Sequence, residues 1–203
     1  MPVAHVVDTG VAIVASVVAG LERAGARVEH TRSPLDIERA ELLVVPGVGA
    51  FGAGMASLDD AGVVEPIRER IVQGRPTLAI CLGMQMLFEG SRESPGIAGI
   101  GAIPGTFSAF PEYGRSTHFG WNAVNAPAGA RFIEDGFAYF AHSFRLESTP
   151  DGWLCGGTTL SGAYTSVLER EGVLAGQFHP ELSGAWGRRL LSRWVMQDEA
   201  VRL

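Results

Sequence analysis

Pro76-Thr77-Leu78-Ala79-Ile80-Cys81-Leu82-Gly83-Met84-Gln85-Met86-Leu87-Phe88-Glu89 is the stretch that decides the fold. It begins as a short apolar run of strand type and continues as a helix-like run, with Cys81 at the change. A strand that turns sharply into a helix brings two backbones close together and needs small residues beside the turn. Ala79 and Gly83 flank Cys81 at that spacing. This is the nucleophile-elbow pattern G-x-S-x-G, with cysteine as nucleophile and alanine at the first small position. Such an elbow exposes the sulfur at the top of a sheet and at a helix N-terminus, where the dipole favours thiolate over thiol. Taken alone, Cys81 reads as an inert thiol buried in a hydrophobic strand, and it is the further features of the chain that reverse this.

Working outward, the first 90 residues alternate strand and helix. Val3 to Asp8 reads as a buried strand, Val11 to Ala24 as a helix closed by Gly25, and Arg27 to His30 as a second strand. Ser33 to Asp36 reads as a turn or helix start, and Leu42 to Val45 as a strand stopped by Pro46. A glycine-rich loop, Pro46 to Gly54, and a helix over Val63 to Gln73 lead to the elbow. The alternation predicts an α/β fold with a mostly parallel central sheet flanked by helices and joined by right-handed crossovers. In such sheets, sites lie at the carboxyl ends of strands, where Cys81, the Pro46–Gly54 loop and Asp8-Thr9-Gly10 fall.

From about residue 91 to 178 the runs are shorter and richer in Gly, Pro and aromatics: Thr117–Trp121, Ala138–Phe144, Trp153–Gly156, Ala163–Leu168 and Val173–Phe178. They predict an antiparallel extension plus the last core strand. Ser183 to Met196 reads as a closing helix with Ser183 as its N-cap. With no repeat, low-complexity tract or linker, residues 1–203 are expected to form a single domain.

Composition excludes several function classes. Hydrophobic residues are 46% and charged residues 19%, as in a soluble globular protein. A net charge of -6 argues against a nucleic-acid binder, and all 16 basic residues are Arg. Two cysteines, Cys81 and Cys155, are too few for a disulfide framework and fit a reducing cytosol. The N-terminus has no signal-peptide pattern, and no run reaches the ~20 apolar residues a membrane span needs, so a cytoplasmic protein without membrane contact is expected.

The second chemical feature is Gln177-Phe178-His179-Pro180-Glu181. In an extended chain, residues two apart point to the same side, so Glu181 can orient the imidazole of His179. The pair alone also fits a strand-end histidine and a surface glutamate in a turn made by Pro180. With an elbow cysteine, it completes a nucleophile–base–orienter set. The third feature is the Pro46–Gly54 loop. It lacks the Gly-Lys-Ser/Thr of a Walker loop and the spacing of a dinucleotide fingerprint, and fits either an oxyanion hole or a plain turn. His5 reads as structural and His30 as surface; His118 and His142, near aromatics, line a pocket or merely pack. Cys155 reads as structural. No spacing reads as a zinc site, and no metal or cofactor is expected.

Five motifs together resemble a family: Pro46-Gly47-Val48-Gly49-Ala50-Phe51, Cys81-Leu82-Gly83-Met84-Gln85, His118-Phe119-Gly120-Trp121-Asn122, Tyr139-Phe140-Ala141-His142-Ser143 and Gln177-Phe178-His179-Pro180-Glu181. Their order and spacing are similar to those of class I (triad) glutamine amidotransferases, a flavodoxin-like fold. The Pro-Gly-Val-Gly-Ala-Phe and Gly-Trp-Asn elements look like the glutaminase subunit of imidazole glycerol phosphate synthase. The resemblance implies glutamine hydrolysis, with Cys81 attacking the side-chain amide, His179 moving the proton and Glu181 orienting His179. Backbone N–H groups of Leu82 and, after a loop rearrangement, Val48 would hold the oxyanion. Gly47, Gln85, Glu93, His142, Ser143 and Phe144 match glutamine-binding positions. It further implies a heterodimer with a (β/α)8-barrel cyclase of histidine biosynthesis, to which ammonia is channelled, and low glutaminase activity until that partner binds its ligand.

The chain departs from that pattern at Ile13, where the family usually has Asn, and at Leu182, where it usually has Lys or Arg. Thr117 and Phe119 flank His118, and the Val-His-Ser-Tyr pattern reads Ala141-His142-Ser143-Phe144. By the resemblance, Ile13 and Leu182 lie on the cyclase face, which implies a modified interface. Two rival readings remain: a glutaminase subunit of the same class serving another acceptor synthase, and a diverged non-catalytic binding subunit.

Overall fold

The computed structural model describes residues 1–9, 15–112 and 114–197. The strands are β1 (Val3–Val7), β2 (Arg27–Thr31), β3 (Leu42–Val45), β4 (Thr77–Ile80), β5 (Phe88–Ser91), β6 (Ile103–Ala109), β7 (His118–Val124), β8 (Gly136–His142), β9 (Phe144–Arg145), β10 (Leu154–Thr159), β11 (Ala163–Arg170) and β12 (Val173–Gly176). The helices are α1 (Ala15–Arg23), α2 (Pro34–Arg39), α3 (Phe51–Asp60), α4 (Val64–Val72), α5 (Leu82–Met86) and α6 (Gly184–Met196), with a 3-10 turn at Pro180–Leu182.

The central sheet has seven strands in the order β10-β11-β12-β4-β3-β1-β2. From β12 to β2 every pairing is parallel, while β11 and β10 add an antiparallel edge. The central strands read Leu42-Leu43-Val44-Val45, Thr77-Leu78-Ala79-Ile80 and Val173-Leu174-Ala175-Gly176, buried throughout. Such runs suit a sheet covered on both faces. Alternation confirms the two layers: Leu42 and Val44 pack with α1 and α6 around Leu21, Trp186 and Trp194. Leu43 and Val45 pack with α2, α3 and α4 around Ile37, Phe51, Met55 and Ile67.

The antiparallel region is divided. β7 and β8 form their own two-stranded ribbon, and β5, β6 and β9 a small sheet in which β5 and β6 are in fact parallel. α3 corrects the glycine-rich loop expected over Pro46 to Gly54, because the helix has begun by Phe51. Glu93 and Ser94 start it from outside: Glu93 Oε2 accepts the Phe51 N–H at 2.8 Å and Ser94 Oγ the Gly52 N–H at 3.1 Å. Ala50, at the cap position, offers no side-chain hydrogen bond, so sequence gave no cap to recognise. The expected helix start at Val11 and the departure at Ile13 lie outside the described residues.

Arg70 is a buried cation on α4. Its guanidinium donates to Ile37 O at 3.1 Å, Ala40 O at 3.0 Å and Pro76 O at 2.9 Å, tying the end of α2 to the entry of β4. Burial, with Arg75 nearby, lowers its pKa to about 10.

Candidate active site

The site begins with a strained residue. Cys81 sits between β4 and α5 at φ 54°, ψ -110°, a conformation that non-glycine residues rarely adopt. Two close approaches hold it there. A Cβ at Gly83 would stand 1.9 Å from Val45 O, and one at Gly47 would stand 2.7 Å from Gly83 N. The Cys81 N–H donates to Gly176 O at 2.8 Å, which fastens the elbow to β12. The small residues are therefore demanded by backbone contact.

β12 lies beside β4 in register, Gly176 opposite Ile80, so the residues that follow the two strands emerge together. His179 Nδ1 lies 2.9 Å from Glu181 Oε1, and both side chains are buried. The pairing is made by the 3-10 turn at Pro180–Leu182, not by the expected continuation of an extended strand. The His179 N–H donates to Tyr139 O at 2.9 Å. Ser183 Oγ donates to His179 O at 2.6 Å and accepts the Tyr139 N–H at 3.0 Å. Ser183 thus stands at the N-cap position of α6 but makes no side-chain cap; it braces His179 instead. Burial alone lowers the pKa of His179; its hydrogen bonds to Cys81 and Glu181 outweigh that and raise it to about 10. An imidazolium is therefore favoured between sulfur and carboxylate.

These groups open onto a cavity of about 300 Å³, at the lower end of the size of small-molecule sites. Cys81, Leu82, Gln85 and His179 line one side, Val48 and Glu93 another, and His142, Ser143 and Phe144 a third. Glu181 lies behind His179. Gly47 does not line the cavity: its missing Cβ lets it pack on the elbow, and its carbonyl accepts the Leu82 N–H at 3.3 Å. That donor, expected to hold an oxyanion, is thus engaged by the loop. Sequence reasoning left out Gly49, Ala141 and Gln177, the first two in the cavity wall and the third beneath the sulfur.

Behind the wall runs a hydrogen-bond chain whose direction can be deduced. His142 Nδ1 faces Phe144 O at 2.8 Å, so it carries the proton and Nε2 accepts. Tyr164 Oη, 3.2 Å from that Nε2, must donate to it and accept from His118 Nδ1 at 2.7 Å. His118 Nε2 then accepts from Asn122 Nδ2 at 3.2 Å. The direction requires two neutral histidines. Burial supplies them: it lowers His118 to about 4, assisted by Arg115, and His142 to about 3, against the Phe144 carbonyl but with His118 and His179. The same burial raises the Tyr164 phenol. Of the two histidines, His142 lines the pocket, while His118 packs behind it, stacked on Phe140 at 4.2 Å.

On the outer surface, Phe119 and Trp121 of β7, Phe137 of β8 and Leu182 are exposed apolar residues. Trp121 meets Tyr139 edge to face at 6.1 Å and reaches toward Gly184, so the patch adjoins Leu182. His30 is exposed, His5 lies 3.4 Å from Glu29, and Cys155 donates to Trp153 O at 3.6 Å. Among the described residues no group of three or more His, Cys, Asp or Glu is placed to hold a metal, and no helix is long and apolar enough to cross a membrane.

Comparison with known proteins gives a consistent result. The model of the family Glutamine amidotransferase class-I matches residues 5–197. Imidazole glycerol phosphate synthase subunit HisH of Desulfitobacterium hafniense is 33% identical, over 97% of this chain and 96% of that protein. The HisH subunit of Thermus thermophilus is 39% identical, over 93% and 94%. Imidazole glycerol phosphate synthase hisHF of Emericella nidulans is 36% identical over 96% of this chain, which spans only 38% of that longer protein. Among solved structures, a glutamine amidotransferase superposes with TM-score 0.75 at 18% identity, covering 95% of this chain and 97% of the other. PurLQS from Thermotoga maritima gives TM-score 0.72 at 17% identity over 97% and 98%. The last two speak for the fold, and the motifs and full-length relatives for the lineage: this chain belongs to the class-I glutamine amidotransferase family, among the relatives of the HisH subunit of imidazole glycerol phosphate synthase.

Proposed function

We propose that this chain hydrolyses the side-chain amide of glutamine through Cys81, His179 and Glu181 and delivers the ammonia to a cyclase partner that makes imidazole glycerol phosphate. The observation that carries the reading is the sulfur–imidazole–carboxylate alignment on a strained elbow at the mouth of the 300 Å³ cavity. His179 takes the Cys81 proton, and the thiolate attacks the amide carbon. The imidazolium returns the proton to the departing nitrogen as the C–N bond breaks, leaving a thioester and ammonia. His179 then takes a proton from water, which attacks the thioester carbon; the C–S bond breaks, the thiolate returns and glutamate leaves. Glu181 keeps the imidazole oriented in both halves.

Leu82 and Val48 are the oxyanion donors in this reading, with Gln85, Glu93 and the His142–Phe144 wall holding the substrate. The engagement of the Leu82 N–H by Gly47 O supports a resting state in which the loop must move before the oxyanion is held. The exposed Phe119, Trp121 and Leu182 supply an apolar docking face. The names of the full-length relatives and of the longer fused relative support the heterodimer and the cyclase as acceptor. Residues 1–203 act as one such domain, in the cytoplasm, where two free thiols suit the redox poise. The test is a glutamine-analogue electrophile: the reading expects one covalent adduct at Cys81, blocked by glutamine. An unlabelled Cys81, or labelling that glutamine does not compete with, refutes it.

A further inference from the structure

The sulfur of Cys81 has a second polar neighbour that the triad does not use. Gln177, the first residue after β12, has a fully buried side chain. Its Nε2 lies 3.6 Å from Cys81 Sγ as donor, and its Oε1 accepts from Gln85 Nε2 at 3.1 Å. Gln85 is four residues beyond Cys81 on α5, so one helical turn places its side chain beside the sulfur. Its backbone N–H accordingly donates to Cys81 O at 3.2 Å. The backbone N–H of Gln177 donates to Ser166 O at 2.9 Å, which fixes the base of the side chain.

A buried primary amide must place both its ends. Gln177 has two ways to do so between a sulfur and Gln85. With a thiol that gives it the proton, it accepts S–H at its oxygen and turns its nitrogen to Gln85; a thiol that instead gives its proton to Ala141 O, 4.0 Å away, can accept from the amide. With a thiolate, which has no proton to give, it turns its nitrogen to the sulfur and its oxygen to Gln85. The structure holds the second arrangement, and Gln85, donating to that oxygen, keeps it there. Hydrogen bonds to an ionised partner are the stronger class, so the arrangement favours the charged sulfur.

We propose that Gln177 is a further catalytic residue, whose amide donates to the Cys81 sulfur and stabilises it as thiolate, and that Gln85 is the positioning residue that sets the amide's orientation. The proposal deepens the glutaminase reading and rests on it. The thiolate is both the attacking group in acylation and the leaving group in deacylation, so one donor serves both halves of the cycle. The titratable groups around the sulfur are His179, with Glu181 behind it, His142 and Glu93 in the cavity wall, and Tyr164 behind that wall. The Gln177 variants leave all five in place.

The experiment is the pH profile of Cys81 alkylation by chloroacetamide, followed by mass spectrometry, in the wild-type chain and in Gln177→Leu, Gln177→Glu and Gln85→Glu. The profile does not require turnover, so it separates this proposal from the glutaminase reading, which glutamate release by wild type tests. Gln177→Leu is expected to move the profile to higher pH by about one unit, the equivalent of one hydrogen bond to a charged group. Gln177→Glu sets a carboxylate against the sulfur and is expected to move it further. Gln85→Glu can only accept, so it turns the Gln177 oxygen toward the sulfur and moves the profile the same way. A Gln177→Leu chain that is folded by circular dichroism yet alkylates with the wild-type profile overturns the proposal. If Gln177→Leu does not fold, Gln85→Glu with an unmoved profile overturns it alone.

Discussion

Glu181→Gln is the substitution that asks most of the site. Glu181 Oε1 lies 2.9 Å from His179 Nδ1, and the carboxylate is buried, with Oε2 lacking any hydrogen-bond partner. Glutamine keeps the volume, so packing against Gly20 survives. What changes is charge. The pKa of about 10 at His179 rests on Cys81 and Glu181 together, against burial. Removing one partner of a buried charge pair typically costs about 3–5 kcal/mol. Both side chains are far less than a third exposed, so no large discount for solvent screening applies. At about 1.4 kcal/mol per tenfold, the imidazolium loses stabilisation equivalent to a rate factor on the order of 10²–10⁴. The assay is glutamate release under saturating glutamine with the partner bound. The expected outcome is a fall in kcat in that range with KM changed little, because Glu181 does not reach the cavity. A kcat within threefold of wild type would refute the assignment of Glu181 as the orienting carboxylate.

Three further outcomes follow from the same structure. Arg70→Met leaves the Ile37 carbonyl without its donor while Ala40 O and Pro76 O keep contacts from Arg75 and Leu43, so urea titration should show a loss of about 1–3 kcal/mol with unchanged glutaminase kcat. Tyr164→Phe removes the hydroxyl that links His118 to His142, and glutamine KM should rise roughly fivefold at constant kcat, the worth of about one hydrogen bond in the pocket wall. His118, at about 4 when folded and about 6.5 when unfolded, takes up its proton on unfolding, so its share of stability is complete above pH 6.5 and drains as pH falls toward 4. Between pH 7 and pH 5 that share is about 2 kcal/mol, and the His118→Gln variant should lose that much less over the interval in matched denaturant titrations.

The elbow and the parallel core were legible because their signals are local. Continuous apolar runs mark β3, β4 and β12, and small residues two places from Cys81 mark the turn, whose cause the structure locates for Gly83 in its contact with Val45 O. The start of α3 was not legible because its cap comes from Glu93 and Ser94, 42 residues on. The role of Gln177 was hidden for a like reason: its partner Gln85 is 92 residues away, and only the β4–β12 register joins them. Ser183 shows the opposite error, a residue with cap chemistry whose hydroxyl is spent on His179 and Tyr139. Gly47 matched a binding motif yet serves packing, since a motif fixes position along the chain but not which side faces the cavity.

The central claim is that this site hydrolyses glutamine and answers to a cyclase. The most direct measurement is glutamate production from glutamine by the purified chain, alone and with an imidazole glycerol phosphate synthase cyclase subunit and its ligand, with Cys81→Ala as the blank. The account predicts slow hydrolysis alone, strong stimulation by the liganded cyclase, and none in the blank. Equal rates with and without the cyclase would contradict the proposed acceptor, and glutamate formation by Cys81→Ala at the wild-type rate would contradict the site itself.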